Sequence, residues 1–176
     1  MTVSVARPPD NEYDPYYAGY TRRVPDGDIF ALFAQQIETL RNLLSKLSPE
    51  QGNFRHGPAE WSIKEVVGHL IDTERIWAYR ALRISRNDHA PLAGFEQDDY
   101  VRESNFGQRT LTDLLEEFEL IRRANILAFN RLSPEAILRC GTASNAVISV
   151  RALLYMMPGH VEHHLESLRT DYLPKL

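Results

Sequence analysis

The sequence predicts an all-α protein, a four-helix bundle, on three observations. Four segments repeat apolar residues at three- and four-residue spacing. Two of them open on explicit helix-capping signals. The stretch between the second and third segments has no helical periodicity and is long enough to return the chain to the end it left.

Residues 1 to 27 come first. They hold Pro8, Pro9, Pro15 and Pro25 among Tyr13, Tyr16, Tyr17 and Tyr20. Proline removes backbone donors and breaks helices, whereas four tyrosines are too much apolar surface for a free tail. The segment reads as an ordered arm packed on a body spanning residues 28 to 176, all within one domain.

From Asp28 the apolar positions Ile29, Leu32, Phe33, Ile37, Leu40, Leu43, Leu44 and Leu47 mark a first helix, ended by Ser48-Pro49. The second has the clearest start. Ser62 is the N-cap, Glu65 completes a capping box, and Trp61 with Val66 forms the hydrophobic staple. Its stripe runs through Ile63, Val66, Val67, Leu70, Trp77, Ala81 and Ile84 until Arg86-Asn87-Asp88 and Pro91 break it.

Between Ser85 and Thr110 the expectation is an irregular crossover. Extended, it would reach on the order of 80 Å, against about 35 Å for a six-turn helix, so helices two and three can run parallel. Thr110 and Asp113 open the third helix, which carries Leu111, Leu114, Leu115, Phe118, Ile121, Ile126, Phe129 and Leu132. The fourth is expected from about Ser149 to Leu168, with an interruption and a kink at Pro158-Gly159.

Composition narrows the function. With 43% hydrophobic and 25% charged residues the chain resembles an ordinary folded domain, and its formal charge of −4 disfavours nucleic acid as a partner. Neither a signal peptide nor a membrane span is evident, so a cytoplasmic protein acting on a small molecule is expected. Cys140 is the only cysteine, which excludes an intrachain disulfide and a cysteine-based zinc ribbon. Any metal site must rest on histidine and carboxylate.

His160 and His164 stand one helical turn apart. With Val150 at zero on a wheel of about 100° per residue, His164 falls near −40° and His160 near −80°, both in or beside the apolar arc. His163 falls near −140° and is expected at the rim. On helix two, with Ile63 at zero, His69 lies near −120°, on the flank that faces a neighbouring helix. A lone inward histidine is more often hydrogen-bonded than metal-bound, but three buried imidazoles from two helices would be costly to leave unpaired. A shared metal would relieve that cost.

Other histidine chemistries fail on their letters. A zinc protease needs His-Glu-x-x-His, whereas here Glu162 gives His-x-Glu-x-His. A nucleobase deaminase needs a Pro-Cys-x-x-Cys partner that one cysteine cannot supply. His56 and His89 sit in proline- and glycine-flanked loops and read as solvated. Glu74 falls at about 20°, near the centre of the second stripe, where a carboxylate must pair with an arginine or support a ligand.

Two segments resemble the DinB/YfiT-like superfamily: Trp61-Ser62-Ile63-Lys64-Glu65-Val66-Val67-Gly68-His69-Leu70-Ile71-Asp72-Thr73-Glu74 and Gly159-His160-Val161-Glu162-His163-His164-Leu165. The similarity extends to the Tyr-rich arm before Val24-Pro25-Asp26-Gly27-Asp28 and to the long crossover. The resemblance implies an up-down-down-up bundle, frequent homodimers, and a metal triad of His69, His160 and His164 with open coordination positions. It also implies a choice of chemistries. Relatives include bacillithiol S-transferases and mycothiol-dependent maleylpyruvate isomerases, while many members carry only the general description of metal-dependent hydrolase.

The leading expectation is therefore transfer of a low-molecular-weight thiol to a small electrophile at a divalent ion, zinc first, with nickel, iron or manganese as alternatives. Hydrolysis of a small amide or ester is the second. A non-catalytic bundle, with metal serving stability, sensing or a stress response, is the third.

Overall fold

The computed structural model describes residues 3–176, so Met1 and Thr2 of the arm lie outside the described residues. Eight α-helices follow in chain order: α1 Ala18–Thr21, α2 Ile29–Leu44, α3 Pro49–Gly52, α4 Ile63–Ser85, α5 Gln97–Glu103, α6 Leu111–Phe129, α7 Pro134–Leu138 and α8 Val150–Ser167. Strands β1 Cys140–Ala143 and β2 Ala146–Ser149 form an antiparallel hairpin before α8.

The long helices start where side chains satisfy their free backbone donors. Phe30 N donates to Asp28 Oδ1 at α2, and Asp113 N donates to Thr110 Oγ1 at α6. At α4 the full capping box forms: Glu65 N donates to Ser62 Oγ, and Ser62 N donates to Glu65 Oε2 at 2.7 Å.

Two apolar clusters give the direction of each helix. One gathers Ile29, Phe30 and Phe33 at the start of α2 with Trp77, Ala81 and Ile84 at the end of α4. Phe129 at the end of α6 and Val150 to Met157 at the start of α8 complete it. The other gathers Leu40 and Leu44, Ile63 to Ile71, Leu111 to Phe118, and Val161 and Leu165. Hence α2 and α8 run one way and α4 and α6 the other. The expected up-down-down-up bundle is present, with α4 and α2 each packed on both α6 and α8.

Between the clusters lies a polar layer joining all four long helices. Arg122 of α6 has no exposed surface, and its Nε lies 3.0 Å from Glu74 Oε1 of α4. Asn125 Nδ2 donates to the same oxygen at 2.8 Å. Arg122 also donates to Gln36 Oε1 of α2 and to the Met157 carbonyl of α8, at 2.9 and 3.2 Å. Gln36 Nε2 reaches the Pro158 carbonyl and Glu162, both at 2.8 Å. Glu74 thus takes the arginine partner anticipated for it.

Several expectations need correction. The first helix ends at Leu44, and Ser48-Pro49 begins α3 with its own capping box. The arm is not free of helix: it contains 3-10 turns at Asp10–Glu12 and Pro15–Tyr17, and α1. Proline is acceptable at the first position of the Pro15 turn, where no donor is needed. The crossover contains α5 and a 3-10 turn at Phe106–Gln108, too short to show a period. The hairpin was not foreseen; it turns on Ser144 and Asn145, with φ of 52° and 65°.

Helix α8 passes through Pro158 and Gly159 without interruption and continues into a π-helical turn at Leu168–Tyr172. Packing on three sides holds it, and side chains from α2 and α6 bond the Met157 and Pro158 carbonyls. Gly159 serves close approach rather than flexibility. A Cβ there would lie 2.0 Å from the Tyr20 carbonyl oxygen. The arm therefore seats its backbone directly on α8, one residue before His160. Gly68 does the same for the crossover, since a Cβ would lie 2.2 Å from the Phe106 ring, one residue before His69.

The arm is tied down elsewhere too. Tyr155 donates to the Val5 carbonyl, and Arg151 pairs with Glu12. Replacing Gly159 by alanine should lower stability by about 1–3 kcal/mol, the usual cost of overpacking. It should also speed proteolytic cleavage within residues 3–27. Unchanged melting and cleavage would contradict the close approach.

Candidate metal centre

Three imidazoles converge where α4 packs on α8, beside Tyr20 of the arm. His69 Nε2 lies 2.9 Å from His160 Nε2, and His164 Nε2 lies 3.0 Å from the same atom. One ligand atom from each falls within 4.8 Å of the others. His69 and His160 are buried, at 3% and 4% exposure, and His164 is half-buried.

Antiparallel packing explains the convergence. His160 and His164 share a face of α8 by their four-residue spacing, and α4 runs past that face in the opposite direction. His69 is more deeply buried than its flank position suggests, because α4 packs on two helices and so buries a wide arc.

Aromatic rings enclose the triad. Trp61 lies 4.6 Å from His69 between ring centres and stacks on His164 at 6.5 Å. Tyr20 of the arm and Trp77 of α4 each lie 5.2 Å from His160. Thr73 Oγ1 stands 3.5 Å from His69 Nδ1, one turn along α4. Composition and wheel positions identified none of these neighbours as site residues. Trp61 had shown itself only as a staple, and Tyr20 only as one of the arm's rings.

His163 stays outside the cluster. It is half-buried, 5.6 Å from the Tyr20 ring and 5.0 Å from that of His164. His56 is outside the cluster too, 4.5 Å from the Tyr172 ring and 3.5 Å from Glu60, and borders the same cavity as His163 and His164.

Burial keeps the triad neutral. It pushes His69 down to about 4, with His163 adding a smaller repulsion. His160 and His164 are held well below the ordinary imidazole value, first by burial and then by their neighbouring histidines. A neutral ring nitrogen carries either one hydrogen or one lone pair. His160 Nε2 therefore has one hydrogen or one lone pair to share between two close neighbours, and cannot make a well-directed hydrogen bond to both.

A cation at the shared point removes that conflict. Nitrogens bound to one ion at about 2.0–2.1 Å and near a right angle lie about 3 Å apart, as the two close pairs here do. The donor set, all imidazole and unprotonated, fits a divalent transition-metal ion.

Two cavities reach the triad. The larger, about 620 Å³, is lined by His69, His160, the arm tyrosines, Trp77 and the start of α5. The smaller, about 380 Å³, is lined by His163, His164, Trp61 and Tyr172. Gln97 and Asp98 of α5 border both. The crossover that carries them is tied to the hairpin, because Leu92 N donates to the Thr142 carbonyl and Ser144 N to the Leu92 carbonyl.

An all-α bundle of this order with three convergent histidines defines a recognisable class. The family model described as the DinB superfamily matches residues 32–168, and the chain belongs to that superfamily. Among solved structures, it is similar to YfiT from Bacillus subtilis, described as a probable metal-dependent hydrolase with an unusual four-helix bundle topology. The TM-score is 0.74 at 12% identity, covering 92% of this chain and 95% of that one. It is also similar to a mycothiol-dependent maleylpyruvate isomerase, with a TM-score of 0.67 at 11% identity, covering 87% of this chain but 62% of that one. At these identities the likeness is one of fold. No curated protein matches the chain in sequence. Among the described residues no helix is long and apolar enough to cross a membrane.

The depressed imidazoles predict a pH signature. A group whose folded pKa lies below its unfolded value binds fewer protons when folded, so stability is full above about 6.5 and is lost as pH falls. For His69 the loss extends down to about 4. Metal-free protein should melt progressively earlier across that window, and His69→Gln should show a smaller decline. Equal declines in both would contradict the burial of a neutral His69.

Proposed function

We propose that this chain is a metal-dependent enzyme in which His69, His160 and His164 hold one divalent ion, zinc first among the candidates. Its reaction is the transfer of a low-molecular-weight thiol to a small electrophile. The observation that carries the transfer reading is the pair of cavities meeting at the triad. A reaction joining two molecules needs two places to hold them at one reacting point.

When bound, the ion would supply Lewis acidity, which lowers the pKa of a coordinated thiol or water. The remaining work falls to the chain's own groups. Trp61, Tyr20 and Trp77 press on the imidazoles and exclude water from their ring faces. Thr73 stands at the far nitrogen of His69, where its hydroxyl can accept from Nδ1 in the tautomer that leaves Nε2 with its lone pair.

Gln36 and Arg122 bond the two carbonyls that precede Gly159, and so fix α8 where His160 begins its turn. Asp98, bordering both cavities, is the carboxylate available to take the proton from an incoming thiol.

Hydrolysis would use the same triad and Asp98 with water as nucleophile, leaving one cavity without a role. Turnover of model esters independent of added thiol would select that reading. Metal-dependent melting with no turnover would select a binding or sensing role.

Metal-replete protein incubated with a panel of low-molecular-weight thiols and monochlorobimane should consume thiol faster than a His160→Ala control. The difference should be at least about 10–100-fold, the range seen when even the supports of metal ligands are removed. Equal rates would overturn the proposal.

A further inference from the structure

The larger cavity has a chemical character that the triad alone does not specify. One wall is aromatic: Tyr17 and Tyr20 from the arm lie 5.9 and 6.1 Å from Trp77 of α4, ring centre to ring centre. All three rings border the same space, two from the arm, which the Gly159 contact seats on α8, and one from α4.

The rim opposite in sequence is acidic. Glu96, Asp98 and Asp99 border the cavity at the start of α5, and all three are exposed. Asp99 pairs with Arg102 at 2.7 Å. Among the described residues neither Glu96 nor Asp98 has an ion-pair partner within 4.0 Å. No lysine or arginine lines the cavity. Arg80, 2% exposed, stands behind the wall, donating to the Ala93 carbonyl at 2.7 Å and to Ser144 Oγ of the lining at 3.0 Å.

A third feature is independent of the charges. Trp77 is 3% exposed and lines the cavity, and its Nε1 is buried without a hydrogen-bond partner. An unpaired buried donor is rare and costly unless a bound group supplies the acceptor.

Aromatic faces carry partial negative charge and attract cations, best of all tryptophan, and carboxylates without partners add to the same field. From the aromatic wall, the acidic rim and the unpartnered indole, we infer that this cavity binds a small organic cation. The ligand is an ammonium-bearing molecule that also carries an oxygen acceptor for Trp77. It would be the electrophile, or its amine portion, that meets the thiol at the triad. An anionic substrate would meet the acidic rim unfavourably, and the Arg80 guanidinium behind the wall is already engaged by Ala93 and Ser144. The inference rests on the proposed function in taking this cavity as the place of the electrophile.

The test uses three probes of nearly equal shape and different charge: choline, 3,3-dimethyl-1-butanol and 3,3-dimethylbutanoate. Their dissociation constants are measured by calorimetric titration at low ionic strength, on metal-loaded and on chelator-treated protein. Choline should bind about tenfold tighter than the neutral alcohol, with the anion weakest. Glu96→Gln with Asp98→Asn should remove part of that preference, and Tyr17→Leu a further part; these positions are exposed or half-buried, so the fold should persist.

Equal affinity for choline and the alcohol, tighter binding of the anion, or no measurable binding of choline would each overturn the inference. Because the preference is read with and without metal, its failure is distinguishable from failure of the metal site.

Discussion

A guanidinium with no exposed surface sits at the centre of the bundle, and the positions of the other parts follow from how it is satisfied. Arg122 faces Glu74 on one neighbouring helix, bonds Gln36 on another and a backbone carbonyl on the last. The Phe33 and Phe118 rings complete its surroundings, with its charge 4.3 and 5.2 Å from their centres. A buried charge stripped of its partner costs about 3–5 kcal/mol, so each of the four helices is constrained to present the correct group at the correct height. Such pairs add little net stability but can select one register among many. Here the selected register places His69 opposite His160.

The triad is the second consequence. Once α4 and α8 are fixed antiparallel, the four-residue spacing of His160 and His164 and the position of His69 leave three neutral nitrogens aimed at one point. Two glycines bring the covering segments in. Gly159 admits the arm against α8, and Gly68 admits the crossover against α4, each next to a histidine of the triad. The two tyrosines of the aromatic wall and the acidic rim of the larger cavity are delivered by those same two segments. Core register, histidine triad and the larger cavity are thus linked by a few close contacts.

Much of this was legible in the sequence, and the limits have physical causes. Ser62 and Glu65 identified the start of α4 because a capping box is local chemistry. The inward phase of His160 and His164 followed from helical geometry, whereas His69 entered the site through a family resemblance and a compatible position on the helix wheel. Glu74 was visible as a carboxylate in an apolar stripe, but its partner was not, since Arg122 is separated by 48 residues and looks like any helical arginine. Helix α5 and the hairpin escaped because seven and four residues are too few to establish a period. Pro158 misled in the other direction: its local cost is real, and tertiary packing overrides it.

The central claim is that three histidines from two helices share one ion, and anomalous diffraction at the absorption edge of the metal carried by the purified protein tests it most directly. The account predicts a single peak within about 2.0–2.3 Å of a ring nitrogen from each of His69, His160 and His164. A peak held through His163 or His56, or a protein that carries no metal after growth and purification without chelator, would contradict it.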